Sequence, residues 1–317
     1  MKVEEIKNIC NLGTGTMGFG TALFFAMKGY NVRMYGRSEA SIERGFNSIK
    51  QALETYKENN LVTDKEIPET LSKIIGCTTL EDAAKDADFV IESIAEDLEI
   101  KKEVWAKIER LTKPETIFAT NSSGLSPTAI AEALTRKEKF VVAHFWNPPH
   151  LVPLVEVVPG KFTSEETVKI TWELIEKIGK KPVALKREAL GFIGNRLQLA
   201  LLREALYIVE SGIATQEAVD TAVKYSIGRR LSTTGPLETA DLGGLDIFHN
   251  IAAYLYEDLC DRKDPSDVLK KAVAEGNLGS KTGTGLYQWT PDALAKIKKT
   301  RENILIEWLQ KDVTTKF

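Results

Sequence analysis

The stretch Ile6–Tyr35, IKNICNLGTGTMGFGTALFFAMKGYNVRMY, decides the fold of this chain. It reads as an apolar strand ending at Leu12, a glycine-rich turn, GTGTMG at 13–18, an apolar helix over Thr21–Lys28, and a second strand over Asn31–Tyr35. This order is the context that a dinucleotide-binding βαβ unit requires. The glycines permit a tight turn, so that the backbone approaches a pyrophosphate at the free N–H groups of the helix N-terminus. The residues expected to contact the dinucleotide are Gly13, Gly15, Thr16, Met17 and Gly18.

The residues after the second strand depart from the pattern of NAD-binding proteins. An acidic residue is expected there to bind the ribose 2′-hydroxyl, but the chain has Gly36-Arg37-Ser38. A guanidinium and a hydroxyl without a carboxylate are typical of a site for a 2′-phosphate. The alternative is a surface Arg37 in a turn, beside a Ser38 that only caps the next helix. We expect a nicotinamide cofactor, NADP or NAD, with NADP favoured through Arg37 and Ser38.

Strands and helices alternate as far as Leu185, and only helices are predicted beyond it. Two successive helices, over about 39–59 and 64–73, precede the third strand, and this hairpin is a candidate to contact substrate or a second subunit. The pattern predicts an α/β fold with an N-terminal Rossmann-type, doubly wound, mostly parallel sheet and a C-terminal all-helical domain. We place the dinucleotide-binding domain at residues 1–186 and the helical substrate and dimerisation domain at 187–317.

The segment FVVAHFWNPPHLVPLVEVV at 140–158 carries the candidate catalytic residues. His144 ends one apolar strand, three prolines force an extended turn, and Glu156 lies in a second apolar strand. A carboxylate in such a strand needs a partner, and a histidine at the end of the neighbouring strand can be that partner. A histidine held by a carboxylate is typical of a general base. The alternative is a hydrogen-bonded loop histidine and a glutamate on a solvent-exposed strand edge.

Composition limits the partners and the location of the protein. The chain has 317 residues with 42 Lys+Arg and 45 Asp+Glu, a net charge of -3, which argues against a nucleic-acid partner. Its three cysteines show no CxxC spacing and its three histidines show no metal-ligand spacing, so that we expect no metal and a reducing, cytoplasmic compartment. The charged start MKVEEIKNIC argues against a signal peptide, and no apolar run reaches the length of a membrane span.

Several motifs in a fixed order resemble the 3-hydroxyacyl-CoA dehydrogenase family between Ile6 and Tyr287. They are GTGTMG (13–18), ESIAEDLEIK (92–101), TNSSGLS (120–126), HFWNPP (144–149), LVEVV (154–158), GFIGNR (191–196) and GSKTGTGLY (279–287). The resemblance implies an NAD(P)-dependent oxidoreductase that interconverts an L-3-hydroxyacyl-CoA of the 3-hydroxybutyryl-CoA type and its 3-oxo form.

The same resemblance implies roles for individual residues. His144 corresponds to the general base and Glu156 to its carboxylate partner. The further polar groups of the active site are Ser123, Asn195 and Asn147. Glu96 and Lys101 correspond to residues that line the nicotinamide site, and Asn121 is a further cofactor-binding residue.

Other features leave the substrate open. NPPHLVPLVEVVP (147–159), GFIGNRLQ (191–198) and GPLET (235–239) resemble the branch of gulonate 3-dehydrogenase and lambda-crystallin. Ala52 and Asn59 stand where the acyl-CoA enzymes carry a Ser and a Lys that contact coenzyme A, although Lys50 and Lys57 lie nearby. The segment GSKTGTGLY (279–287) resembles both the acyl-CoA branch and bacterial relatives acting on hydroxymethyl-pyridine acids. The alternatives are therefore a dehydrogenase of a free 3-hydroxy acid or small alcohol, or a non-catalytic, crystallin-like cofactor-binding protein.

The segment Arg196–Gly212 is rich in Leu and Ala, and its apolar residues cover more than one face of the predicted helix. Such a helix is buried between other helices or lies at a subunit interface. Together with the family resemblance, this pattern predicts a homodimer that associates through the helical domain.

Overall fold

The computed structural model describes residues 1–314 and divides into two compact units. The first unit is Met1–Ile193 together with the chain from Thr300 on, and the second is Gly194–Lys299. The predicted boundary lay at 186/187. The first unit continues to Ile193 because Phe192, which is 4% exposed, packs against Val142 and Val158 of its sheet.

The first unit is built on an eight-stranded sheet in the order β3-β2-β1-β4-β5-β6-β7-β8. The strands are β1 (Asn8–Leu12), β2 (Asn31–Tyr35), β3 (Ile74–Cys77), β4 (Phe89–Glu92), β5 (Ile117–Thr120), β6 (Phe140–Phe145), β7 (Leu154–Pro159) and β8 (Lys181–Ala184). The first six follow the doubly wound order 3-2-1-4-5-6, and all pairs are parallel except β6 with β7. The predicted fold class is confirmed.

Helices cover both faces of this sheet. They are α1 (Thr16–Met27), α2 (Glu39–Glu58), α3 (Glu66–Ser72), α4 (Leu80–Ala84), α5 (Leu98–Leu111), α6 (Pro127–Ala131) and α7 (Glu165–Lys177), with short 3₁₀ turns at Val3–Glu5 and Lys137–Lys139. One core cluster lies against α1, α2 and α7 and the other against α4, α5 and α6. Strands buried on both faces read as continuous apolar runs, as β4, β5 and β6 do.

The first helix begins at Thr16 and not at Thr21 as predicted. Three glycines at 15, 18 and 20 weaken the helical signal of the first turn, because glycine has a low helix propensity. Tertiary packing overrides that propensity, since Gly18 and Gly20 are both buried.

The second unit is helical. Its helices are α8 (Gly194–Glu210), α9 (Gln216–Tyr225), α10 (Ile227–Leu231), α11 (Pro236–Gly243), α12 (Leu245–Leu255) and α13 (Asp267–Ala274), and the last helix, α14 (Pro291–Thr314), begins in this unit. Within residues 194–299 only Leu206 and Ser266 are buried. No helix of the described chain is both long and apolar enough to cross a bilayer.

The second part of α14 belongs to the first unit. From Thr300 on, α14 contributes Ile306, which is 2% exposed, to the first unit's core. Gln310 Nε2 also donates a hydrogen bond to the main-chain oxygen of Asn59, at 2.7 Å, at the C-terminal end of α2. The chain therefore leaves the first unit and returns to it.

Candidate active site

The glycine turn between β1 and α1 is shaped by close backbone packing. Gly13 has a φ of 121°, in the region that favours glycine, and a Cβ there would lie 2.6 Å from Ser93 O. A Cβ at Gly18 would lie 2.2 Å from Gly13 O, whereas nothing lies within 4 Å of one at Gly15. The turn is therefore closed at Gly13 and Gly18 and open at Gly15, the N-cap residue of α1, as a pyrophosphate site requires.

Asn11 holds this turn and was missed in the sequence. Its Nδ2 donates to Gly13 O at 2.9 Å and to Gly18 O at 3.1 Å, while its Oδ1 accepts from Thr21 Oγ1 at 2.6 Å. It stands as a polar residue within the apolar strand β1, and this was the signal in the sequence. Thr16 is exposed and Met17 half-buried in the first turn of α1.

A cavity of about 360 Å³ continues from the turn to the end of β2. Arg37 lines it, and so does Arg44 from α2, which the sequence reading had not singled out. Ser38 is occupied as the helix cap, since its Oγ accepts the N–H of Ser41 at 3.3 Å, whereas Ser41 lines the cavity. The basic groups around this cavity suit an anionic ligand.

The residue at position 36 is constrained by its neighbours. A Cβ on Gly36 would lie 2.5 Å from Ser41 Oγ and 2.9 Å from Ile42 Cγ1. The carboxylate typical of NAD-binding proteins therefore has no room here unless the side chains of Ser41 and Ile42 move.

His144 and Glu156 form a buried pair across β6 and β7. The two residues are direct partners in the antiparallel register, and His144 Nδ1 lies 2.9 Å from Glu156 Oε2. They are 7% and 0% exposed. A carboxylate that faces Nδ1 keeps the ring proton on that nitrogen, so that Nε2 is available to accept a proton.

Two further donors fix the carboxylate of Glu156. Trp146 Nε1 donates to Oε2 at 3.1 Å, and the N–H of Ile193 donates to Oε1 at 2.8 Å. The His144 ring also packs against the rings of Trp146 and Phe192, with centroids 5.7 and 5.5 Å away. The pair therefore has one orientation in the structure, as a general base requires.

Lys101 lies beneath the strand ends and not on the surface of the site. Its Nζ lies 2.6 Å from Glu92 Oε1 and 3.3 Å from Glu96 Oε2, and its side chain is 1% exposed. Glu92, which is fully buried, also accepts from Thr120 Oγ1 at 2.7 Å. Lys101 therefore neutralises buried charge and holds the loop over 93–97.

Glu96 and Asn121 connect the loops at this edge. Glu96 accepts hydrogen bonds from Ser122 Oγ and from the N–H of Gly124. Burial alone would raise the pKa of Glu96, but the bond from Ser122 and the charge of Lys101 outweigh it and lower that pKa. Asn121 Oδ1 accepts the N–H of Phe145, next to His144, at 2.7 Å.

The remaining predicted residues differ in how far the structure places them. Ser123 is exposed after β5, at the same end of the sheet as the glycine turn. Asn147 is exposed in the turn after β6. Asn195 belongs to the second unit, in the first turn of α8. In the part of the chain that the structure describes, no three His, Cys, Asp or Glu side chains group as a metal site.

Comparisons with known proteins match both parts of the chain to one family. The family model "3-hydroxyacyl-CoA dehydrogenase, NAD binding domain" matches residues 8–189, and the C-terminal domain model of the same family matches residues 191–289. The chain is 38% identical to a probable 3-hydroxybutyryl-CoA dehydrogenase of Bacillus subtilis, over 90% of this chain and 98% of that protein.

A second relative has a different substrate in its name. The 5-formyl-3-hydroxy-2-methylpyridine 4-carboxylate 5-dehydrogenase of Mesorhizobium japonicum is 34% identical over 95% of this chain and 96% of the relative. A crystal structure of an enzyme of that name, described as an NAD⁺-dependent dismutase, aligns with a TM-score of 0.90 at 32% identity, over 96% of this chain and 98% of that one. The (S)-3-hydroxybutyryl-CoA dehydrogenase from Ralstonia eutropha aligns with a TM-score of 0.77 at 31% identity, over 90% of this chain and 100% of that one.

The buried network predicts the effect of Lys101→Met. This change leaves the charge of Glu92 buried without its partner, and we expect a loss of about 3–5 kcal/mol in the free energy of unfolding. Urea unfolding followed by circular dichroism measures it. Lys102→Met is the control, because Lys102 pairs with the exposed Glu99 at 3.5 Å and should lose less than about 1 kcal/mol. Equal losses in the two variants would contradict the role given to Lys101.

Proposed function

Because this chain belongs to the 3-hydroxyacyl-CoA dehydrogenase family, we propose that it oxidises an L-3-hydroxyacyl-CoA of the 3-hydroxybutyryl-CoA type to its 3-oxo form. The protein is an oxidoreductase that uses a nicotinamide cofactor. The observation that carries the proposal is the buried His144–Glu156 pair, with Nδ1 and Oε2 2.9 Å apart.

In the proposed mechanism His144 Nε2 takes the proton of the substrate 3-hydroxyl. Glu156 stabilises the imidazolium that forms, without a change in its own position. A nicotinamide bound at the glycine turn would supply the acceptor for the hydride of C3. In the reverse direction the protonated His144 is the acid. Ser123, Asn147 and Asn195 are proposed to hydrogen-bond the substrate oxygens.

The first unit offers a site of the right form for the dinucleotide. The turn is closed at Gly13 and Gly18 and open at Gly15, and the N-terminus of α1 faces the position of the phosphates. Glu96 and Asn121 are proposed to line the nicotinamide end, while Lys101 supports Glu96 from below.

A second candidate, oxidation of a free 3-hydroxy acid or related small alcohol, is favoured by the C-terminal helix. Gln310 of α14 donates a hydrogen bond to the main-chain oxygen of Asn59. Asn59 stands where the family resemblance puts a coenzyme A contact. Lys57 is held by Asp64 at 2.5 Å, which leaves Lys50 as the freer of the two nearby lysines. The relative named for a pyridine carboxylate also aligns over 96% of this chain. The intact His144–Glu156 pair argues against a non-catalytic, crystallin-like role.

We further propose that NADP is preferred to NAD. Two guanidinium groups, of Arg37 and Arg44, line the cavity at the end of β2. Gly36 contributes no carboxylate that would repel a 2′-phosphate. The side chains of Ser41 and Ile42 pack so closely around it that they leave little space for a larger residue. Ser41 lines the cavity and Ser38 does not, and the Ser41 hydroxyl also donates to Ser38 O at 2.7 Å.

The proposal that the protein is a homodimer is supported by the exposed apolar side chains of the second unit. Leu237 and Leu242 of α11 are 84% and 78% exposed, and Leu197 and Leu201 of α8 are 55% and 44% exposed. Exposed apolar side chains in this number are typical of a surface that another protein chain covers. A second copy of the chain would cover it, as in obligate homodimers.

A cytoplasmic location is the last part of the proposal. It is supported by the three cysteines, Cys10, Cys77 and Cys260, which are all free. Free thiols without disulfides are usual in reducing compartments.

The catalytic pair predicts the kinetics of His144→Ala. Loss of the base should lower kcat by about 10²–10⁴-fold, with the dissociation constant of the reduced cofactor, measured by fluorescence, close to that of the parent. Glu156→Gln should lower kcat as well, since it removes the charge that stabilises the imidazolium. His144→Ala with the turnover of the parent would refute the assignment.

The substrate candidates predict different results with Lys50→Ala/Lys57→Ala. If the substrate is a coenzyme A thioester, the parent should turn over 3-hydroxybutyryl-CoA far better than free 3-hydroxybutyrate or a hydroxymethyl-pyridine acid. The double variant should then have a higher KM and a weaker salt dependence, because phosphate contacts are lost. Lys65→Ala, with a side chain 86% exposed, is the control. Better turnover of a free acid, with KM unchanged in the double variant, would favour the second candidate.

The cavity at the end of β2 predicts the cofactor preference. The parent should have a higher kcat/KM with NADP, and Arg37→Ala and Arg44→Ala should each lower that value by about ten- to 100-fold, since a charge-assisted hydrogen bond contributes roughly 1.5–3 kcal/mol. Values with NAD should change little. Arg110→Ala, at an exposed arginine of α5, controls for loss of charge. A parent that works as well with NAD would show that the turn had been misinterpreted.

The homodimer predicts a mass of twice 35.2 kDa in light scattering at micromolar concentration. Leu237→Glu/Leu242→Glu should shift the protein to the monomer, because charges at an apolar interface are costly to bury. Lys298→Glu, at an exposed position of α14, should stay dimeric. A monomeric parent would disprove the proposal.

A further inference from the structure

Lys180 is a buried lysine that the proposed mechanism does not use. It lies between α7 and β8 and is 3% exposed. Its Nζ donates to Pro149 O at 2.6 Å and to Val152 O at 2.9 Å, and it lies 3.5 Å from the centroid of the Phe24 ring. In the described chain no carboxylate forms an ion pair with it.

A buried ammonium without a counter-charge is costly, and a methionine would fill similar space without that cost. The three N–H donors of Lys180 nevertheless have three partners, two carbonyls and the face of an aromatic ring. The interactions of this lysine with Pro149, Val152 and Phe24 therefore offset only part of the cost of its burial, and they identify the segments that it connects.

The two carbonyls belong to the turn over 146–153, which connects the strand of His144 to the strand of Glu156. We call β6, this turn and β7 the catalytic hairpin (140–159). Phe24 belongs to α1, the helix that begins at the phosphate turn. Lys180 thus bridges the catalytic hairpin and the cofactor helix.

Other contacts show how tightly this turn meets α1. A Cβ at Gly20 would lie 2.4 Å from Pro149 Cγ, so that only glycine permits the approach. The rings of Phe19 and His150 lie 5.5 Å apart, and Tyr56 of α2 donates its hydroxyl to His150 O. Pro149 and His150 are thus enclosed on the α1 side, and Lys180 closes the turn from the β8 side.

We propose that Lys180 is a positioning residue for the reaction: it holds the turn of the catalytic hairpin against α1 and so fixes His144 and Glu156 relative to the nicotinamide. The inference rests on the proposed dehydrogenase function. A hydride and a proton leave adjacent atoms of the substrate, so that the base and the cofactor must keep one geometry.

The ammonium form of Lys180 is the one that makes all three contacts. Burial lowers the pKa of Lys180 to about 7, and above that pH the neutral amine turns a lone pair toward a carbonyl or the ring. The neighbouring titratable groups are His150, Glu302, Tyr56 and Lys28. Burial and the charge of Lys180 lower the pKa of His150, and the charge of Glu302 acts in the opposite direction on that pKa.

Activity and stability should therefore change in opposite directions above about pH 7. The hydrogen bonds that hold the turn over 146–153 against α1 weaken as Lys180 loses its proton, so that kcat falls. Between about 7 and the ordinary lysine value of 10.5 the unfolded chain binds the proton that the folded chain has lost, so that the free energy of unfolding rises with pH. Lys180→Met should remove both contributions.

The experiment compares Lys180→Met and Lys180→Gln with Lys181→Met, the exposed neighbour in β8. We expect Lys180→Met to lower kcat by about ten- to 100-fold, the scale of a misplacement near 1 Å, and to leave the fluorescence-measured dissociation constant of the cofactor within about threefold. Lys180→Gln keeps two N–H donors and should recover part of kcat. Lys181→Met should match the parent, including the fall in kcat above pH 7.

Two controls keep the result unambiguous. If Lys180→Met does not fold, Phe24→Leu, which removes only the aromatic face, must still lower kcat at a parental cofactor dissociation constant. The kcat and pH profile of the parent in Lys180→Met would overturn the proposal. The same result in both Lys180→Gln and Phe24→Leu would also overturn it. His144→Ala is measured alongside with whichever substrate the parent oxidises. If it retains activity, the proposed function fails; if it alone loses activity, only the role of Lys180 fails.

Discussion

The reversal of strand direction between β6 and β7 is the constraint on which the site depends. Every other strand pair in the sheet is parallel, and parallel neighbours need a crossover connection of a dozen or more residues. The turn over 146–153 is too short for a crossover and leaves only the antiparallel pairing, in which His144 faces Glu156. A slip of one residue would turn the Glu156 side chain to the other face of the sheet. The apolar core on both sides of these strands therefore also fixes the catalytic pair.

The sequence predicted those features that depend on neighbours along the chain. Strand β2 has the predicted bounds, Asn31–Tyr35, because its apolar run lies between Gly29 and Gly36. The pairing of His144 with Glu156 was one of two interpretations of a proline-rich turn between two apolar strands, and the family resemblance favoured it. Both are local signals, and the rest of the parallel sheet followed from the alternation of strands with helices.

Features that depend on tertiary contacts could not be predicted in this way. A lysine in an amphipathic helix such as α5 gives no sign that it reaches a buried Glu92, as Lys101 does. Arg44 reads as one more charge on the surface of α2, and its position in the cofactor cavity follows only from the packing of that helix on the sheet. The apolar helix over Arg196–Gly212 was expected to be buried or to lie at an interface. In the single chain only Leu206 of its residues is buried. This exposure favours the second alternative, the proposed subunit interface, over burial within the chain.

The return of α14 to the first unit has a consequence for the order in which the protein is made. Domains near the N-terminus usually fold while the rest of the chain is still being synthesised. Here the first unit lacks Ile306 of its core until α14, which follows the helical unit, has left the ribosome. The nascent first unit therefore lacks the apolar contacts of Ile306 throughout synthesis of the helical unit. Native packing of the first unit therefore waits until α14 has been made.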